Sequence, residues 1–210
     1  MELRDVIHTR RMVRRYDPDR PVADSVLLDC LDAATRAPSA GFSQGWDFVV
    51  LRLPQERAAF WAATTDPQAP ADPWLQGIST APVLVVACSD PDTYLDRYAE
   101  PDKGWTDRAT SRWPVPYWDV DAGMASLLIL LTAVDHGLGG LFFGVAPDRV
   151  AALRHTLGIP ASRRIVGVIA LGYAVSHPKS TSLRRGRRGL DEVAHWGRFG
   201  VAREPPYPGL

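Results

Sequence analysis

Apolar and polar positions recur along this chain with distinct periods, and those periods lay out its elements. Leu3, Val6 and Ile7 fall at helical spacing and predict a helix over 2–10. Leu27, Leu28, Leu31 and Ala34 form a second stripe of that period, predicting a helix over 25–36 with Asp24 as N-cap and Pro38 as its stop. Residues 46–53 are aromatic and β-branched and predict a strand, followed by a short helix over 56–63. The run 82–88 is apolar without interruption, the pattern of a central strand covered on both faces. Residues 121–136 are apolar almost all round, which predicts a helix buried on every side, at a core or a subunit interface. A short Gly/Phe-rich strand over 139–145, a helix capped by Asp148 and ending at Leu157, and a strand over 165–173 complete the series.

Three stretches carry no period. Residues 66–73 are rich in Pro and Asp and read as a loop. Residues 89–119 mix prolines, charges and aromatics, and an irregular segment of that length in a compact domain is usually functional. The tail from 178 on is basic and then Pro-rich. Helices and strands in this order predict a mixed α+β or α/β class, a sheet wrapped by helices. One domain over 1–210 is expected, with a lid or flap around 66–119 and an extended C-terminal arm around 176–210.

Lys+Arg and Asp+Glu balance at 24 each, so no global field draws this chain to nucleic acid, and any basic cluster must act locally. Two cysteines without metal-ligand spacing, Cys30 and Cys88, read as buried thiols of a reducing cytoplasm. The N-terminus has no apolar signal core, and the run 125–134 is shorter than the roughly 20 residues a bilayer span needs. The expectation is a cytoplasmic protein off the membrane. The five histidines are scattered, with no triad and no metal cluster, so a cofactor must carry any chemistry.

Two segments could hold such a cofactor. The first, RRMVRRY at 10–16, places Arg10, Met12 and Arg14 on one face and Arg11, Val13 and Arg15 on the other if it is extended. Guanidiniums sharing a face suit a phosphate, which arginine binds bidentately. A solvated basic edge is the plainer alternative. The second, APSAGFSQGW at 37–46, is a turn between helix and strand whose small residues leave backbone N–H groups free to meet a flat ring.

Together these segments resemble the opening motifs of the FMN-dependent nitroreductase family, R-R-S-x-R-x-F/Y and A-P-S-x-x-N-x-Q-P-W. Two further stretches resemble the same family: GLGGLFFG at 137–144, and GLDEVAHW at 189–196 preceded by arginines. The resemblance implies a central mixed, mostly antiparallel sheet flanked by helices, in an intertwined homodimer with FMN at the subunit interface. It puts Arg10 at the FMN phosphate with Arg11 beside it, and Arg14 near the ribityl chain or pyrimidine edge. Pro38, Ser39, Ala40 and Gln44 would lie along the flavin. A backbone N–H of Phe143 or Gly144 would face flavin N5. Arg187, or else Arg185, would complete the phosphate site. Met12 stands where the family has Ser and Phe42 where it has Asn, so two polar contacts are lost or replaced. Phe42, Tyr98, Lys103, Trp113 and Trp118, with Arg97 and Glu100, are candidates to meet a planar substrate. A dimer-interface flap is the alternative for that middle segment.

The activity implied is ping-pong: NADH or NADPH reduces the flavin, leaves, and an aromatic acceptor of nitroarene or quinone type takes its place. The alternatives are a lid-bearing relative doing other reduced-flavin chemistry (reductive dehalogenation or flavin breakdown) and a flavin-binding protein without turnover.

Overall fold

The computed structural model describes residues 1–66, 68, 70, 72–178 and 180–202. Four strands form one sheet in the order β1-β2-β4-β3: β1 Trp46–Leu51, β2 Val83–Ser89, β3 Gly139–Phe143 and β4 Arg164–Gly172. Every pairing among them is antiparallel, with Trp46 opposite Ser89, Val83 opposite Leu171 and Gly139 opposite Gly172. The mixed character of the sheet edge comes from Met12, which makes an isolated parallel bridge to Gly140.

The uninterrupted apolar runs follow from coverage of both faces. Val83, Val85, Ile169 and Leu171 point into one core with Leu27, Cys30 and Ala34 of α2 (Asp24–Thr35) and Ile129 and Ala133 of α6 (Tyr117–Asp135). Leu84, Val86, Val168 and Ala170 point into the other, with Phe60 of α3 (Pro54–Thr64), Ile78 of α4 (Pro73–Ile78) and Leu153 of α7 (Val150–Leu157). The remaining helices are α1 (Leu3–Thr9), α5 (Pro91–Tyr98) and α8 (Leu190–Val193). The chain divides into a unit over 1–176 and a smaller one from His177 onward.

The structure corrects several expectations. Asp24 is the first residue of α2 and Ala23 its cap, and Leu28 faces outward at 64% exposure because Cys30 takes the inner position. The 66–73 stretch gives way to α4 at Pro73, whose cap Asp72 accepts from the Trp74 N–H at 2.8 Å. The supposedly aperiodic 89–119 stretch contains α5, capped in the same way by Asp90. Asp148 lies inside a 3-10 turn, Pro147–Arg149, and caps nothing.

The helix expected over 121–136 starts four residues earlier, at Tyr117. At that length α6 is long and apolar enough to cross a bilayer, so the run 125–134 is only its middle. Its packing is that of a core helix: Asp121 and Ser126 are buried, and one side lies on α2 and the sheet. It is not buried on every side, however. Val120 and Leu127 are 43% and 47% exposed, and Met124, Leu131 and Val134 are only half-buried.

Candidate functional site

The arginine segment leaves α1 in extended form and runs along the sheet. Val13 donates to Gly140 O at 3.0 Å, Asp17 to Tyr173 O at 2.9 Å, and Tyr16 bridges Ala174. Arg10, Met12 and Arg14 are alike half-buried, as a shared face requires. The opposite face is not a basic edge, because Val13 there is buried between exposed Arg11 and Arg15. Arg14 Nη1 turns back onto Met12 O at 3.3 Å. Arg10 and Arg11 have no carboxylate partner among the described residues, although the chain pairs many of its other arginines. Arg11 lines a hollow of about 500 Å³ together with Val134, Gly139 and Ala174. Unneutralised guanidiniums at a partly covered backbone are what an anion site needs before its anion arrives.

The glycine-rich strand owes its composition to this segment. A Cβ on Gly139 would lie 2.6 Å from Val13 Cγ2. The close neighbour that glycine admits at 139 is thus the chain's own Val13. Beyond the end of β3 the situation reverses: Gly144 is exposed, and a Cβ there meets nothing within 4 Å. The Phe143 side chain stacks on Trp61 (centroids 6.0 Å, 8° between planes) and meets Trp74 edge-on at 5.7 Å. Those three rings, with Asp72, Gln76 and Gly144, border a cavity of about 400 Å³. Sequence reasoning missed Trp61 and Trp74; the i, i+1 aromatic pair Phe60-Trp61 was its one available signal.

The 38–45 loop is built differently. Residues Ala40–Phe42 make a 3-10 turn in which Gly41, Phe42 and then Gln44 take left-handed backbone (φ 63, 57 and 56°). Phe42 and Gln44 are the positive-φ non-glycine residues among those described, and Phe42 is 77% exposed. Ser39 Oγ accepts from the Gln44 N–H at 2.7 Å, and Arg97 Nε donates to Gly41 O at 3.1 Å. Pro38 is exposed, and Ser39 and Ala40 are half-buried.

These two halves do not meet within one chain. The arginine segment and Phe143–Gly144 belong to the β3 edge of the sheet, whereas the loop feeds β1 at the opposite edge. Three strand spacings, roughly 14 Å, separate those edges.

The tryptophan-rich segment packs upon itself. Trp113 lies against Tyr94, Tyr98, Trp105, Tyr117 and Trp118 at centroid distances of 4.6–6.1 Å. Lys103 Nζ sits 5.1 Å over the Tyr98 ring, and Arg97 pairs bidentately with Asp102 as well as with Glu100. Trp118 is buried. The cluster is therefore a small core behind the 38–45 loop: Tyr98 stands so close to Gly41 that a Cβ would come within 2.7 Å.

Two further residues were not foreseen. Asp121, 2% exposed, accepts at Oδ2 from the Ala40 N–H and from the Tyr94 hydroxyl, each at 2.8 Å. Burial, chiefly, raises the Tyr94 phenol well above its ordinary range, so it stays a donor. In the C-terminal unit, Thr181–Arg185 form a 3-10 turn, and Arg185 and Arg187 are exposed. Arg188 bonds Glu192, whose carboxylate accepts from the Gly189 N–H.

Comparison with known proteins establishes the family and the fold. Residues 7–173 match the family described as the Nitroreductase family. A protein of Archaeoglobus fulgidus named NADH dehydrogenase/NAD(P)H nitroreductase is 33% identical over 170 residues, covering 80% of this chain and 83% of that protein. A Thermus thermophilus protein named NADH dehydrogenase is 31% identical over 206 residues, covering 89% and 92%. Among solved structures, a nitroreductase of Desulfovibrio desulfuricans in complex with FMN superimposes with a TM-score of 0.70 at 23% identity, covering 99% of each chain. This chain belongs to the nitroreductase family.

Proposed function

We propose that this protein is an FMN-dependent NAD(P)H oxidoreductase whose site is completed by a second copy of the chain. The observation that carries the cofactor is the unpaired Arg10 guanidinium, half-buried on a segment bonded to a strand that ends in the open backbone of Gly144. Arg10 takes the phosphate with Arg11 beside it, Arg14 lies toward the pyrimidine edge, and Phe143 or Gly144 offers an N–H toward N5. Bound there, FMN supplies two-electron chemistry between NADH or NADPH and a planar aromatic acceptor of nitroarene or quinone type. The protein's part is to fix the ring, hold positive charge near it and exclude water. Arg187, or else Arg185, from the basic C-terminal turn is the remaining phosphate ligand in this reading.

The sheet supports the reading of a second copy. Ser39, Ala40 and Gln44 lie at the edge opposite Arg10, so the loop that covers the flavin comes from the partner chain. The outward stripe Val120, Met124, Leu127, Leu131 and Val134 repeats with 4-3 spacing along α6, which is the seam of a helix-to-helix contact. The protein as purified should show the visible absorbance of oxidised flavin. Anaerobic NADH or NADPH should bleach it, and a nitroarene or quinone should restore it. A chain that takes up no added FMN overturns the proposal.

A further inference from the structure

We infer that Asp121 and Tyr94 are positioning residues that hold the 39–44 loop in its left-handed shape for the flavin. This inference rests on the reading of that loop as a cofactor surface. Left-handed backbone at a non-glycine residue is strained and persists only where neighbouring structure over-determines it. Here Phe42 and Gln44 both adopt it, on either side of Ser43. The local bonds do not account for the shape alone. Ser43 Oγ returns to Ala40 O at 2.7 Å and Gln44 N–H reaches Ser39 Oγ, but both bonds lie inside the loop and move with it.

The anchors come from outside. Asp121, on the second turn of α6, puts one oxygen, Oδ2, where it accepts from both the Ala40 N–H and the Tyr94 hydroxyl. The Tyr94 oxygen is also 3.4 Å from Ser39 Oγ, so one phenol ties α5 to the loop and to α6. A carboxylate that is 2% exposed is costly unless it is hydrogen-bonded, and of its two bonds one ends on the loop backbone at Ala40 and the other on the Tyr94 hydroxyl. Arg97, locked by Asp102, holds Gly41 O from the other side. The aromatic core around Trp113 in turn fixes Tyr94 and Tyr98. What this machinery leaves free is Phe42, presented to the outside on a strained backbone.

Because both bonds use the same oxygen, an amide can replace the carboxylate. Asp121→Asn keeps an acceptor at that position; Asp121→Ala removes it; Tyr94→Phe removes the phenol donor while keeping ring and volume. The test measures FMN dissociation constants by fluorescence quenching, the visible circular dichroism of bound FMN, and melting temperature for all three. Asp121→Ala and Tyr94→Phe should bind FMN about tenfold more weakly, the loss of roughly one to two bonds to a charged acceptor. Their bound-flavin dichroism should change. Asp121→Asn should stay within about threefold of wild type with an unchanged dichroic spectrum, a rescue that lost packing does not predict. If Asp121→Ala fails to fold, Tyr94→Phe carries the same test. Wild-type FMN affinity and dichroism in folded Tyr94→Phe or Asp121→Ala overturn the inference, as does an Asn variant as weak as the Ala variant. A wild-type chain that binds no FMN sinks the cofactor reading itself, and this inference with it.

Discussion

Val13 is seated directly on Gly139: a Cβ at that glycine would come within 2.6 Å of Val13 Cγ2 and 3.0 Å of its Cβ. Val13 is 2% exposed and its N–H is bonded to Gly140 O, so it cannot step aside. The arginine segment and the glycine-rich strand therefore form one unit, and the position of Arg10 depends on the absence of a side chain more than a hundred residues away. Gly139→Ala should destabilise the fold by about 1–3 kcal/mol, the usual cost of overpacking, and should weaken FMN binding at the same time. Adding Val13→Ala should recover part of both losses. Urea titrations of the two single variants and the double variant provide the cycle; strict additivity would show that the two residues do not share this contact.

Arg10→Ala should separate what Gly139→Ala joins. The guanidinium has no carboxylate partner to lose among the described residues, so the melting temperature should stay within a few degrees of wild type. A charge-assisted bond to phosphate contributes about 1.5–3 kcal/mol, so the FMN dissociation constant should rise roughly ten- to a hundredfold. Fluorescence titration with FMN and with riboflavin checks the cause: the loss should vanish for riboflavin, which lacks the phosphate. Equal weakening for both ligands would move Arg10 away from the phosphate.

The strands and cores were largely legible because their signal is physical and local. An unbroken apolar run such as 82–88 has few uses other than a strand covered on both faces, and the sheet uses it that way. What was lost were the short helices. Asp72-Pro73 and Asp90-Pro91 both read as turn signals, yet an Asp cap followed by Pro at the first helical position also begins a helix. The choice between the two depends on tertiary packing beyond the pair. Arg10 and Gly144 stand out in the sequence as single residues, and in the fold the one has no carboxylate partner among the described residues while the other keeps an open backbone. The Asp121–Tyr94 anchor was not legible, since nothing in a largely apolar helix announces which loop one of its three carboxylates will meet. The Trp-rich segment meets the same limit: aromatic side chains that suit a substrate equally suit one another, and here they pack together.

Stability should fall at alkaline pH. Burial, the leading cause, pushes the Cys30 thiol up to about 12 and the Cys88 thiol up to about 11. It also raises the phenols of Tyr16 and Tyr94. In the unfolded chain these groups ionise near their ordinary values, about 8.5 for Cys and 10 for Tyr. Above those values the unfolded state binds fewer protons than the folded one, so unfolding is favoured as pH rises. The contribution is intact below about pH 8 and is lost progressively as pH climbs toward 11–12. Urea midpoints measured from pH 7 to 11 should decline over that window. Native protein at pH 8 should also leave both thiols unmodified by a thiol reagent until denaturant is added. Rapid modification of either cysteine in the folded protein would contradict the burial that raises them.

The last prediction concerns the second copy. Leu127 is the most exposed member of the α6 stripe, with Met124 and Val120 one and two turns before it and Leu131 and Val134 after it. Leu3 and Ile7 of α1, which packs on α6, are exposed as well. A monomer would leave all of these in water, at a cost of roughly 25 cal/mol per Å² of apolar surface. Leu127→Asp places an unpaired charge at the centre of that seam without disturbing the inward side of the helix, where Ile129 and Ala133 are buried. It should therefore shift the sedimentation mass from dimer to monomer while far-ultraviolet circular dichroism stays unchanged. FMN should be lost in the same step, because Arg10 and the 39–44 loop lie at opposite sheet edges and, in the proposed site, close on one ligand from two chains. A monomeric variant that holds FMN as tightly as wild type would show that one chain suffices and that the loop plays no part in holding the cofactor.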